Sequence, residues 1–199
     1  LEEIIIPASV KSIGESAFEG CRSLTKIVIN SDLTILRKNI FVDCISLIHV
    51  NLPNSLLVID EDAFRGCISL TKIEIPCKVE YIGNHSFQNC YSLSYIVMNS
   101  FNTQIEANAF ENYRSLNIIL PEHLDTIKSN AFHQIKSLEK IVMPSTVKSI
   151  DKSAFRGCSS LKEIIIPSMI CKIGKSAFNG CSSLRKVIIP STVKEIGKA

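Results

Sequence analysis

Eight cysteines are the residues of this sequence best equipped for chemistry. A thiol can attack a carbonyl, bind a soft metal as thiolate, or close a disulfide. Their spacing speaks against all three. Cys21, Cys44, Cys67, Cys90, Cys158 and Cys181 are separated by 23 residues or a multiple of it, apart from a one-residue slip between Cys90 and Cys158. Each lies three residues after a Phe. No C-x-x-C pair occurs, and no Cys/His spacing matches a zinc site. Tyr113 and Ile135 occupy the same column, so the place reads as apolar and buried, with Cys as a small hydrophobe. Side chains that project in parallel from stacked strands stay nearly a strand spacing apart. Their Cβ atoms are then too distant for the ~3.5–4.5 Å a bridge needs. Cys77 and Cys171 lie outside the column and are the candidate reactive thiols.

The remaining catalytic vocabulary is scattered. His49, His85, His123 and His133 fall at unrelated places, and nothing pairs a base with a nucleophile and an orienting carboxylate. Glycines are few, and none forms a phosphate-cradling loop. No enzyme activity, cofactor or metal is expected. A net charge of +3 predicts no strong attraction to nucleic acid, and no apolar run is long enough to enter a membrane as a spanning helix.

The elements that position these residues follow from the period. Leu1, Leu24, Leu47, Leu70, Leu93, Leu116, Leu138, Leu161 and Leu184 open nine units, the last incomplete, each 23 residues long except the 22-residue sixth. With that Leu as position one, positions four and six are apolar and five usually so. Pro follows in seven units. Two inward residues separated by one outward residue describe a short strand, and Pro ends it. A second apolar position recurs at Ile13, Leu36, Ile59, Ile82, Ile105, Ile127, Ile150, Ile173 and Ile196. Eight of nine phenylalanines share one column: Phe18, Phe41, Phe64, Phe87, Phe110, Phe132, Phe155 and Phe178. One unit cannot bury these residues alone, whereas stacked units close a continuous core around an aromatic spine. The expected fold is α/β: a right-handed leucine-rich-repeat solenoid over residues 1–199, with a parallel sheet on one face and short helical or 3₁₀ turns opposite. The missing residue between Leu116 and Ile118 predicts a locally shortened coil, and Asn102 an irregularity within 99–104. Neither end carries a capping unit, and Leu1-Glu2-Glu3 is no secretory leader. A piece of a longer array is therefore expected.

The I-x-I-P strand, the V-x-x-I-G segment and the A-F-x-x-C-x-S-L junction resemble the BspA-like leucine-rich repeats over essentially the whole chain. The resemblance implies a cell-surface or secreted, adhesin-like protein whose partner is another protein, a host extracellular matrix component among the possibilities.

By alternation, positions three and five of each strand face outward. Position five is apolar in seven of nine units, and an aligned apolar row flanked by Lys and Glu suits protein binding. Val and Ile also suit any pleated surface. The least repetitive part of the face is His49, Asn51, Lys72, Glu74, Tyr95 and Val97. These six are the candidate protein-binding residues. Two alternatives to a binding module remain open here, a non-binding structural spacer and an intracellular interaction scaffold.

Overall fold

The structure, a computed structural model, describes residues 1–100, 103–106, 109, 116–120 and 122–198. Two strands recur per coil, except that the first coil has only the longer one. The longer series is Glu3–Ile6 (β1), Lys26–Ile29 (β2), His49–Asn51 (β4), Lys72–Ile75 (β6), Tyr95–Met98 (β8), Leu116–Ile119 (β10), Leu138–Val142 (β12), Glu163–Ile165 (β14) and Lys186–Ile188 (β16). The shorter series has two residues each: Ile35–Leu36 (β3), Val58–Ile59 (β5), Tyr81–Ile82 (β7), Gln104–Ile105 (β9), Thr126–Ile127 (β11), Ser149–Ile150 (β13), Lys172–Ile173 (β15) and Glu195–Ile196 (β17). Every pairing is parallel and joins equivalent residues of adjacent coils, as in Ile4↔Ile27 and Ile73↔Ile96.

Alternation along the longer strands separates core from surface. Ile27, Ile73, Ile96, Ile118, Ile141 and Ile164 are buried, as are Leu24, Leu47, Leu70, Leu138 and Leu161 at the start of their units. The phenylalanines stack as expected: Phe41 and Phe64 have ring centroids 5.3 Å apart, Phe64 and Phe87 5.2 Å, Phe132 and Phe155 5.2 Å. Such offset contacts add about 0.5–1.5 kcal/mol each beyond the burial itself. Phe110 and Tyr113, and Asn102 at the centre of its expected irregularity, lie outside the described residues.

The turns differ from the expectation. Among the described residues there is no α-helix or 3₁₀ helix, so the architecture is an all-β solenoid rather than α/β. The reason is a pair of left-handed residues in every coil whose turn is described, at positions sixteen and twenty, or fifteen and nineteen in the shortened sixth. Ser16 and Gly20 have φ of 55° and 68°, Asn39 and Asp43 59° and 55°, Ser153 and Gly157 56° and 78°. A right-handed helix cannot run through them. The N–H groups also leave the coil. Ser16, Phe18 and Gly20 donate to the carbonyls of Lys38, Ile40 and Val42 at 3.1, 3.0 and 2.8 Å, and the later coils repeat the pattern. A helix would spend those donors internally. The segment is thus a third hydrogen-bonded seam along the stack, alternating with short bonds such as Cys21 N–H to Phe18 O at 3.2 Å.

The lost residue of the sixth unit is absorbed in one place. Leu116 pairs with Leu138 but Asn117 with Lys140, so Glu139 has no counterpart and bulges. Beyond it the register recovers. The shorter sheets divide at this coil, into β3-β5-β7-β9 and β11-β13-β15-β17. The longer sheet divides elsewhere, between β4 and β6, into three strands and six.

Candidate functional site

The six candidate residues share the outward face of the longer strands. His49 and Asn51 stand on β4, Lys72 and Glu74 on β6, Tyr95 and Val97 on β8. The register sets Lys72 beside Tyr95 and Glu74 beside Val97. Lys26 and Val28 flank His49 and Asn51 on the other side. Tyr95 is exposed, Val97 half-buried and the other four exposed. The Lys72 ammonium donates to Glu74 Oε1 at 2.7 Å. At this exposure such a pair is worth at most about 1 kcal/mol, and it orients two side chains more than it stabilises the fold.

The division of the sheet passes through this set, leaving His49 and Asn51 on one side and Lys72, Glu74, Tyr95 and Val97 on the other. In four other coils the residue at position two donates to its equivalent one coil earlier: Thr25 to Glu2 at 2.8 Å, Ile48 to Thr25 at 2.9 Å, Ser94 to Thr71 at 3.1 Å, Lys162 to Glu139 at 3.1 Å. No such bond joins Thr71 to Ile48. Val50 is only half-buried where Ile27 and Ile73 are sealed. A cavity of about 550 Å³ occupies the seam. Its wall includes His49, Asn51, Lys72 and Glu74, together with Asn54, Thr71 and Asn99, which sequence reasoning did not select.

The cysteine column lies inside the fold. Cys44, Cys67, Cys90, Cys158 and Cys181 are buried. Each thiol donates to the carbonyl of a Phe in the preceding coil, as Cys90 Sγ does to Phe64 O at 3.1 Å and Cys158 Sγ to Phe132 O at 3.0 Å. Where the column holds Cys, the side chain is thus a small, weak donor as well as a small hydrophobe, whereas Ile135 fills the place by burial alone. Desolvation is the main cause that pushes Cys44 and Cys158 up to about 12 and Cys181 to about 11. Cys67 is driven the same way. Thiols so placed are poor nucleophiles. Cys77 and Cys171 are exposed, and Cys171 Sγ donates to Lys148 O at 3.3 Å.

The histidines remain apart: His49 on β4, His85 at a left-handed turn, His123 in the loop before β11, and His133 beside Arg156. Burial, with Arg156 adding repulsion, lowers the pKa of His133. One metal-like grouping exists among the described residues, with ligand atoms of Glu61, Asp62 and His85 within 4.8 Å of one another. Its carboxylates are already partnered, Glu61 by Lys38 at 2.8 Å and Asp62 by Arg65 at 3.4 Å.

The repeat pattern of the BspA type Leucine rich repeat region matches residues 1–117 and 103–199, in six copies. The chain belongs to the BspA-type leucine-rich repeat family. Solved structures share its coil. A leucine-rich repeat protein from Bacteroides ovatus is 26% identical, with a TM-score of 0.62 over 98% of this chain and 57% of that one. The T. pallidum leucine-rich repeat protein is 25% identical, with a TM-score of 0.53 over 92% of this chain and 78% of that one. This BspA-type array thus spans little more than half of the Bacteroides protein's chain. No curated relative matches its sequence. Leucine-rich repeats of this kind are generally protein-interaction modules. Among the described residues of the array, no helix is long and apolar enough to cross a membrane.

Proposed function

We propose that this array is the protein-binding segment of an adhesin-like cell-surface protein, and that it meets its partner through the outward face of the longer strands. One observation carries the reading. At position five, Ile5, Ile119, Val142, Ile165 and Ile188 are each exposed, at 58, 47, 63, 62 and 68%. The register aligns them coil over coil, as in Ile119↔Val142 and Ile165↔Ile188. An apolar row repeated over many coils, with Lys140, Glu163 and Lys186 beside it, offers a partner both buried area and a polar rim. The row is broken at Asn51 and Glu74, and there His49, Lys72, Tyr95 and Val97 supply the varied chemistry that specificity requires. A host extracellular matrix protein is a partner of fitting kind.

The test is retention of surface-labelled host proteins on the immobilised array. Tyr95→Ala and Val97→Asp should each lower retention at least tenfold with the urea unfolding midpoint unchanged. Full retention by both variants would dismiss this face as the contact surface. Retention of nothing by the wild-type array would favour the structural spacer.

A further inference from the structure

The seam between β4 and β6 has a chemistry different from the rest of the face. Most of the outward surface is an apolar row between charged residues, whereas the seam cavity gathers three side-chain amides, Asn51, Asn54 and Asn99, with the hydroxyl of Thr71. An amide carries two donors and a carbonyl acceptor, and a hydroxyl donates and accepts at once. Such a wall suits a ligand that also presents many neutral donors and acceptors in a small volume. All four residues are exposed.

Charge narrows the class. Two lysines and one glutamate border the cavity, and each is already paired: Lys26 with Glu3 at 2.7 Å, Lys72 with Glu74 at 2.7 Å. A phosphate, sulfate or carboxylate would meet lysines whose charge Glu3 and Glu74 already offset, and the Glu74 carboxylate in the wall would repel it. An uncharged ligand meets no such repulsion. It can accept from the Lys72 ammonium and donate to the second carboxylate oxygen of Glu74 while their pair stays in place.

Shape narrows it again. An extended peptide added as a strand would need β4 and β6 to stand about 9.6 Å apart, two strand spacings. Residues of the two strands lie within 8 Å of one another. The seam is therefore too narrow for an inserted strand. The cavity of about 550 Å³ lies within the usual range for small-molecule sites, and one or two sugar rings fit it. Its inner wall includes the half-buried Val50. That provides an apolar floor for the C–H face of a ring while the rim meets its hydroxyls. Tyr95 stands one strand beyond the cavity wall, next to Lys72 in the register.

We infer that the β4–β6 seam is a saccharide site, built to hold a neutral mono- or disaccharide unit through Asn51, Asn54, Thr71, Lys72, Glu74 and Asn99. This deepens the protein-binding reading, because a glycan carried by a partner protein would enter the same part of the face.

The probes are free lactose, maltose, cellobiose and N,N′-diacetylchitobiose, titrated into the whole chain while amide NMR shifts are followed. At least one should shift the Asn51, Thr71 and Lys72 amides saturably, with a dissociation constant on the order of 1 mM. The double variant Asn51→Ala/Asn54→Ala should weaken that binding at least tenfold with an unchanged unfolding midpoint. Absence of seam shifts for all four sugars at about 20 mM, where a millimolar complex is mostly formed, would overturn the inference. So would equal binding by the variant, or shifts confined to another face. The two readings fail separately. If sugars do not bind but protein retention still depends on Tyr95, only the saccharide site is lost. If sugars bind but no protein is retained, only the protein-binding reading is lost.

Discussion

The thiol of Cys67 donates to the carbonyl oxygen of Phe41, 26 residues earlier, at 3.2 Å. It ties the end of one turn to the aromatic spine of the coil before it, and both residues are fully buried. The same bond recurs at Cys44, Cys90, Cys158 and Cys181.

Stability should fall at alkaline pH because these thiols are desolvated by burial. The folded state raises the pKa of Cys44 and Cys158 from 9.0 to about 12. Above pH 9 the unfolded chain releases these protons while the folded chain keeps them. Stability that is full below pH 9 is therefore lost progressively as pH rises toward 12. Urea midpoints under reducing conditions should decline between pH 8 and about 10.5. The decline should be shallower for Cys44→Ala/Cys158→Ala. Identical slopes would mean the thiols do not matter.

Ser86 should be a stabilising site. It occupies the column filled by Ala17, Ala63, Ala131, Ala154 and Ala177, it is fully buried, and its Oγ has no hydrogen-bond partner. Ser86→Ala removes a desolvated hydroxyl at no cost in packing volume. Chemical denaturation should show a gain of about 0.5–1.5 kcal/mol, within the cost of an unmet buried polar group. A loss of stability would reveal a partner for that hydroxyl.

Gly83 and Gly14 hold the same position in different coils and should respond oppositely to alanine. A Cβ on Gly83 would lie 2.7 Å from the Glu61 nitrogen and 2.8 Å from the Asp60 carbonyl carbon. One on Gly14 would meet nothing within 4 Å. Gly83→Ala should cost about 1–3 kcal/mol, the range for overpacking. Gly14→Ala should be within about 0.5 kcal/mol of wild type. Equal effects would show that neighbouring coils are not in the contact described.

Much of this was readable from residue types alone. Leu24, Ile27 and Phe41 recur with a period that only a stack can bury, so the coil and its spine follow from the hydrophobic effect. The turns were harder to read. Position sixteen holds Ser16, Asn39, Asp62, His85, Asn130, Ser153 and Ser176, a mixture with no apolar period. Its bias toward Asn, Asp and Ser was nevertheless a signal for left-handed backbone, and it counted against a helix. The short strands were equally faint, because two residues such as Val58–Ile59 give no alternation. Five of the six face positions alternate outward to full exposure. Nothing local in His49, Val50 or Asn51 announced that the ladder would part beside them. That depends on how two coils meet, and so Asn54, Thr71 and Asn99 were overlooked.

The central claim, that the outward face around the seam is where this array binds, is tested most directly by a hydrogen-exchange footprint with and without a retained partner protein. The account predicts slowed exchange in residues 49–52, 71–75 and 95–98, with the short strands Val58–Ile59 and Ser149–Ile150 unchanged. Protection confined to the short strands, with the seam exchanging as in the free chain, would contradict it.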